Sequence, residues 1–109
     1  MGEALELTAE NFDAEVEQSD VPVLVDFWGQ ACPPCRALAP IIEALASRYR
    51  GRAKIGKLNV GEHTSAAMRF GVRSIPTLIL FKGGKPQRTM VGLQSEEDLT
   101  AALDDLLSA

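Results

Sequence analysis

Val21-Pro22-Val23-Leu24-Val25-Asp26-Phe27-Trp28 runs straight into Gly29-Gln30-Ala31-Cys32-Pro33-Pro34-Cys35-Arg36, and the junction between the two decides the fold. The first half is apolar in near succession and reads as a buried strand. Val23, Leu24, Val25, Phe27 and Trp28 leave it no polar face, so it needs cover on both sides. That is the mark of an inner strand in a parallel or mixed sheet. The second half opens a helical pattern, with Leu38, Ile41, Ile42, Leu45 and Tyr49 at spacings of three and four. The chain's two cysteines, Cys32 and Cys35, fall at the turn from strand to helix. A Cys-x-x-Cys in that place reads as a dithiol redox site.

The chemistry asks for this arrangement. Two intervening residues let a short turn bring the sulfurs within bonding distance, so the pair can close and reopen without unfolding its surroundings. Cys32 falls at the helix N-cap, where unpaired N–H groups and the helix dipole favour a negative charge. A thiolate is the attacking species in disulfide exchange, which makes Cys32 the nucleophile. Cys35, one helical turn inside and more buried, becomes the resolving thiol. Pro33 and Pro34 suit the first turn, whose N–H groups have no intrahelical partner. Three plainer readings stand beside this one. A static disulfide closing so small a loop removes little unfolded-state entropy. Zinc asks for four ligands as a rule, against two cysteines and one histidine, His63. Two inert core cysteines are the third, since free cysteine is often buried.

At 109 residues the chain reads as one domain, residues 1–109, long enough for a core without staples. Its composition, 46% hydrophobic and 24% charged, is that of an ordinary globular protein. The formal net charge is -4, from 15 acidic residues against 11 basic ones, and no basic cluster interrupts it. Nucleic acid is therefore not an expected partner. No apolar run reaches membrane-spanning length, so no membrane association is expected either. The opening, Met1-Gly2-Glu3-Ala4-Leu5-Glu6, is acidic and has neither the basic region nor the apolar segment of a signal peptide. Glu6 also stands where a myristoylation signal needs serine or threonine. The cytoplasm is the expected location, and there a close cysteine pair is more often catalytic or metal-binding than structural.

Around the junction, strands alternate with helices. Leu5 and Leu7 mark a short edge strand, and Thr8 is placed to cap a helix through Phe12 and Val16. Pro40 should bend the helix after Cys35, which Arg48, Arg50 and Gly51 bring to an end. Residues 53–60 read as a strand with Ile55, Lys57 and Asn59 on one face, and 61–70 as a weaker helix closed by Gly71. Residues 75–81 are a second buried strand with Pro76 near its start. Lys82-Gly83-Gly84-Lys85 is a hairpin turn into a strand near residues 88–91. Ser95 and Asp98 cap a last helix, whose stripe is Leu99, Ala102, Leu103, Leu106 and Leu107. No repeat or linker divides the chain, and the class is α/β.

An ordered set of stretches resembles the thioredoxin family over nearly the whole chain. They are Val25-Asp26-Phe27-Trp28, Cys32-x-x-Cys35 followed by Pro40, Lys57-Leu58-Asn59, Ile75-Pro76-Thr77, Phe81-Lys82-Gly83-Gly84 and Val91-Gly92. The resemblance implies a thioredoxin fold, a central mixed β-sheet flanked by helices on both faces, with the dithiol at the start of the second helix. It implies protein-disulfide reductase activity on disulfide-containing client proteins, with the dithiol restored by a flavoprotein thioredoxin reductase. No bound cofactor is needed, and a monomer is expected. Two departures stand out. Ala31 replaces the family's usual Trp and trims the apolar surface beside the attacking sulfur. Pro33 replaces its usual Gly, so Pro33 and Pro34 form the dipeptide that tunes the redox poise.

Asp26 lies inside an apolar run, where an ionised carboxylate is expensive to bury. One reading satisfies it with local hydrogen bonds. The other sets it beneath the dithiol with a pKa raised by desolvation, moving a proton to and from Cys35. The resemblance favours the second. Lys57 alone would be a solvated strand lysine; in the family it approaches the buried aspartate, which makes it an electrostatic modulator. The pattern Ile75-Pro76-Thr77 implies a cis bond facing the cysteines, with neighbouring backbone left to pair with an extended substrate. Trp28 is read as a shield over the site and Gly92 as part of the docking groove. Trp28, Ile75, Pro76 and Gly92 are thus the implied substrate-binding set. No residue is assigned to a metal, and His63 is read as surface. Two rivals stay open: a disulfide oxidase or isomerase, and a thioredoxin-fold binding module in a larger assembly.

Overall fold

The computed structural model describes residues 3–108; Met1 and Gly2, where the reading of the N-terminus begins, and Ala109 lie outside them. Strands β1 (Leu5–Leu7), β2 (Val23–Trp28), β3 (Lys54–Asn59), β4 (Thr77–Lys82) and β5 (Lys85–Val91) form one sheet in the order β1-β3-β2-β4-β5. The helices are α1 (Pro33–Arg48), α2 (Thr64–Arg69) and α3 (Glu96–Ser108), preceded by a π-helical turn at Asp13–Glu17.

β2 is the middle strand, parallel to β3 and antiparallel to β4. Its apolar run demands burial on both faces, and strand alternation divides the side chains between two cores. Val23, Val25 and Phe27 pack with Leu7, Phe12, Val16, Ile79 and Phe81, beneath the π-helical turn and α2. Leu24 faces the other way, among Leu38, Ile42 and Leu45 of α1, its C-cap Tyr49, Leu80 of β4 and Leu103 of α3. Each such side chain contributes about 1.5–3 kcal/mol on burial, so these clusters dominate the stability of the sheet. Helices cover both faces of a mixed sheet, as the resemblance implies.

The same alternation positions the polar residues. Asp26 is two residues from Leu24, so it shares the face covered by α1. Lys57 is in register with Asp26 across the β2–β3 pair and shares the side of Ile55, which belongs to the α1 core. Both therefore lie under the helix that the cysteines open.

The first helical segment departs from expectation. Thr8 Oγ1 accepts the Asn11 N–H at 3.0 Å, and Asn11 Oδ1 accepts the Thr8 N–H at 2.8 Å, a reciprocal cap. The chain after it then winds as a π-turn, with Gln18 N–H bonded to the Asp13 carbonyl, and still buries Phe12 and Val16. A four-residue apolar spacing keeps one face in either winding, so the spacing could not choose between them. Elsewhere, α1 runs through Pro40 without a break in its span. β4 begins at Thr77, after a cis Ile75–Pro76 peptide. Ser95 Oγ accepts the Asp98 N–H at 3.0 Å at the start of α3.

Candidate active site

Pro33 and Pro34 occupy the first two positions of α1, where a missing N–H costs no intrahelical bond. Cys32 is the N-cap, extended at φ -125°, and its Sγ accepts the Cys35 N–H at 3.2 Å. Because both prolines lack the donor, this is the first N–H the helix can offer the sulfur. Ala31 precedes it at φ 54°, a left-handed conformation that non-glycine residues seldom adopt, and swings the chain from the loop into the cap. The two cysteines are joined as a disulfide, with Cα atoms 5.2 Å apart.

Cys35 is the more buried of the two only marginally in this oxidised form: Cys32 is 6% exposed and Cys35 5%. What separates the two is what they face. Cys32 Sγ lies 3.9 Å from the Ile75 carbonyl oxygen, beside the cis peptide. Gly92, at φ 92°, donates its N–H to the Pro76 carbonyl at 2.8 Å, so Ile75, Pro76 and Gly92 gather on the Cys32 side. Cys35 instead lines a cavity of about 330 Å³ whose walls include Asp26, Trp28, Ala31 and Lys57.

Asp26 is 3% exposed, and its Oδ1 has no hydrogen-bond partner among the described residues. Local hydrogen bonds do not satisfy it. Burial pushes its pKa up to about 7, against the opposing pull of the Lys57 charge. Lys57, though in register with Asp26, directs its ammonium to Glu43 of α1, with Nζ 3.3 Å from Oε2. Glu43 Oε1 accepts the Ala4 N–H at 2.9 Å. Burial works against the Glu43 charge, and the bonds from Ala4 and Lys57 outweigh it and hold the carboxyl below its usual range. Nothing in the sequence reading singles out Glu43. Its available signal is position: eight residues past Cys35 and adjoining Ile42, it flanks the buried stripe of α1.

Among the described residues, no group of three or more His, Cys, Asp or Glu could hold a metal ion. His63 Nδ1 instead accepts the Ala9 N–H at 3.2 Å. No helix among the described residues is long and apolar enough to cross a membrane.

Comparison with known proteins agrees with this geometry. A family model described as Thioredoxin matches residues 3–105. The thioredoxin of Alicyclobacillus acidocaldarius subsp. acidocaldarius is 48% identical over 101 residues, covering 93% of this chain and 95% of that protein. Thioredoxin 1 of Nostoc sp. is 43% identical over 104 residues, 95% of this chain and 97% of that protein. Thioredoxin 2 of Chlorobaculum tepidum is 46% identical over 104 residues, 95% of each. The sheet, its covering helices and the cysteine pair opening α1 are matched along almost the full length, so this chain belongs to the thioredoxin family and is a protein-disulfide reductase acting through Cys32 and Cys35.

Proposed function

We propose that Cys32 attacks the client and Cys35 resolves the intermediate. The observation carrying this assignment is that the sulfurs face different surroundings, Cys32 the Ile75–Pro76 backbone and Cys35 the Asp26 cavity. In the reduced protein, the Cys32 thiolate is favoured by the helix N-terminus. It bonds to one sulfur of a client disulfide, whose S–S bond breaks and whose other sulfur leaves as a thiolate and takes up a proton. Cys35 gives its proton to the Asp26 carboxylate and attacks the Cys32 sulfur, releasing the second client sulfur. The proton on Asp26 passes to that departing thiolate. Two electrons have moved to the client, and the Cys32–Cys35 disulfide is left.

Each supporting residue has one task. Asp26, ionising near neutral pH, is matched to accepting and returning a proton there. Lys57 modulates it by charge, and Pro33 and Pro34 tune the poise of the pair. Ile75, Pro76 and Gly92 form a groove for an extended client segment, and Trp28 shields the Cys35 side. The substrates are client proteins bearing disulfides, and the recycling partner is a flavoprotein thioredoxin reductase. The chain acts as one domain and a monomer, needs no bound cofactor, and takes neither nucleic acid nor membrane as partner. It works in the cytoplasm, a compartment that keeps dithiols reduced.

Insulin reduction tests this reading. The parent should speed insulin precipitation by dithiothreitol, and Cys32→Ser should lose that effect. A folded parent no faster than dithiothreitol alone would favour the binding module. Equilibration with glutathione separates reductase from oxidase: a reductase pair stays a disulfide in mixtures that leave an oxidase pair reduced.

A further inference from the structure

Lys57 has two acids near it and binds one. It is in register with Asp26, and both line the cavity beside Cys35. Its ammonium nevertheless lies 3.3 Å from Glu43 Oε2, while Asp26 Oδ1 keeps no hydrogen-bond partner among the described residues. Glu43 is itself pinned, because Oε1 accepts the N–H of Ala4 in the segment entering β1. That pin leaves the second oxygen for Lys57 and fixes where the ammonium rests. With side chains 36% and 28% exposed, the pair adds little to stability. Its consequence is electrostatic. A lysine charge compensated by a carboxylate acts weakly on a neighbouring acid, and an uncompensated one acts strongly.

We propose that Glu43 is a positioning residue for the dithiol chemistry: by holding the Lys57 ammonium it weakens that charge's pull on Asp26 and preserves Asp26 as a proton acceptor for Cys35. The proposal rests on the proton-transfer role given to Asp26 above. The groups facing Asp26 are few. β3 supplies Lys57, α1 supplies Cys35, Arg36 and Glu43 around the same cavity and ion pair, and β4 supplies the apolar Leu78 in register. Arg36 also lines the cavity but is exposed, and Lys57 is the charge that acts on Asp26.

The test follows the Asp26 carboxyl directly, by carbon NMR of ¹³C-aspartate-labelled oxidised protein titrated with acid and base. Glu43→Gln keeps an oxygen for the Ala4 N–H and removes the charge. Its Asp26 midpoint should move to lower pH, roughly a threefold change in the protonation equilibrium. Lys57→Met should move the midpoint to higher pH, and adding Glu43→Gln to Lys57→Met should then have a much smaller effect. Glu43→Ala, a second variant, should shift the midpoint in the same direction as Glu43→Gln. The pH profile of insulin reduction should move with the midpoint. An unchanged midpoint in Glu43→Gln, or an equal shift with and without Lys57, would overturn the proposal. If the midpoint moves as expected while Asp26→Asn turns over at the parent's rate, the proton-transfer role fails instead, so the two failures are distinguishable.

Discussion

Asp26 is buried among apolar neighbours with an oxygen left unpartnered, and its ionisation makes its contribution to stability depend on pH. An unperturbed aspartate ionises near 3.8, and burial pushes Asp26 up to about 7 in the folded chain. Between those values the folded state holds an extra proton on Asp26, so this group's contribution to stability falls as pH rises through the window and levels off above it. The fall is on the order of 4 kcal/mol. Asp26→Asn removes it: the variant should gain on the parent progressively from acid to neutral pH and then hold a constant margin. Urea denaturation across that range measures the margin, and a flat one would contradict the burial. The same variant should slow insulin reduction near neutral pH by roughly tenfold or more, since the proposed proton acceptor is gone. At this scale the sequence was legible where a residue broke its local pattern. Asp26 is a lone acid in an apolar run, and Cys32 and Cys35 are an isolated pair. Glu43 broke nothing, because an acid beside a helical stripe is ordinary, and only the phase of α1 over β3 brings it to Lys57.

The first turn of α1 and the β4–β5 turn each carry a prediction. Cys32 receives one N–H from that first turn, the Cys35 donor, because Pro33 and Pro34 have none. Pro33→Gly restores a donor near the thiolate and loosens the turn that the closed pair requires. Both effects make the pair more oxidising, by about 30 mV or ~1.4 kcal/mol at most. Equilibration with glutathione reads the change, and a more reducing variant would contradict the argument. In the hairpin, Gly83 and Gly84 look alike in sequence and both take positive φ. A Cβ on Gly83 would meet nothing within 4 Å, whereas one on Gly84 would stand 2.7 Å from the Glu17 carbonyl oxygen. Gly83→Ala should therefore cost about 1 kcal/mol for its backbone alone. Gly84→Ala should cost about 2–3 kcal/mol, since a backbone oxygen must also move. Equal losses in thermal denaturation would argue against the turn packing on the π-helical segment. Spacing announced the hairpin and the helices, but the π winding and the second duty of Gly84 depend on segments far apart in sequence.

Over the whole molecule, one strand organises both core and chemistry. The run through β2 forces cover on two faces, and its two-residue period turns Asp26 toward the helix that begins with the cysteines. The order β1-β3-β2-β4-β5 then sets Lys57 on one side of Asp26 and brings the chain before β4, with Ile75 and Pro76, to the sulfurs. This frame was legible because apolar periodicity specifies faces; the near-equal burial of the two sulfurs was not, because it depends on how closely the Ile75 backbone lies over Cys32. The division of labour between those sulfurs is the central claim. Its most direct measurement incubates reduced Cys32→Ser and Cys35→Ser with disulfide-bonded insulin and weighs the products by non-reducing mass spectrometry. Cys35→Ser should accumulate a mixed disulfide through Cys32 that dithiothreitol releases, while Cys32→Ser should form none. Accumulation by Cys32→Ser, or by neither variant while both fold, would contradict the account.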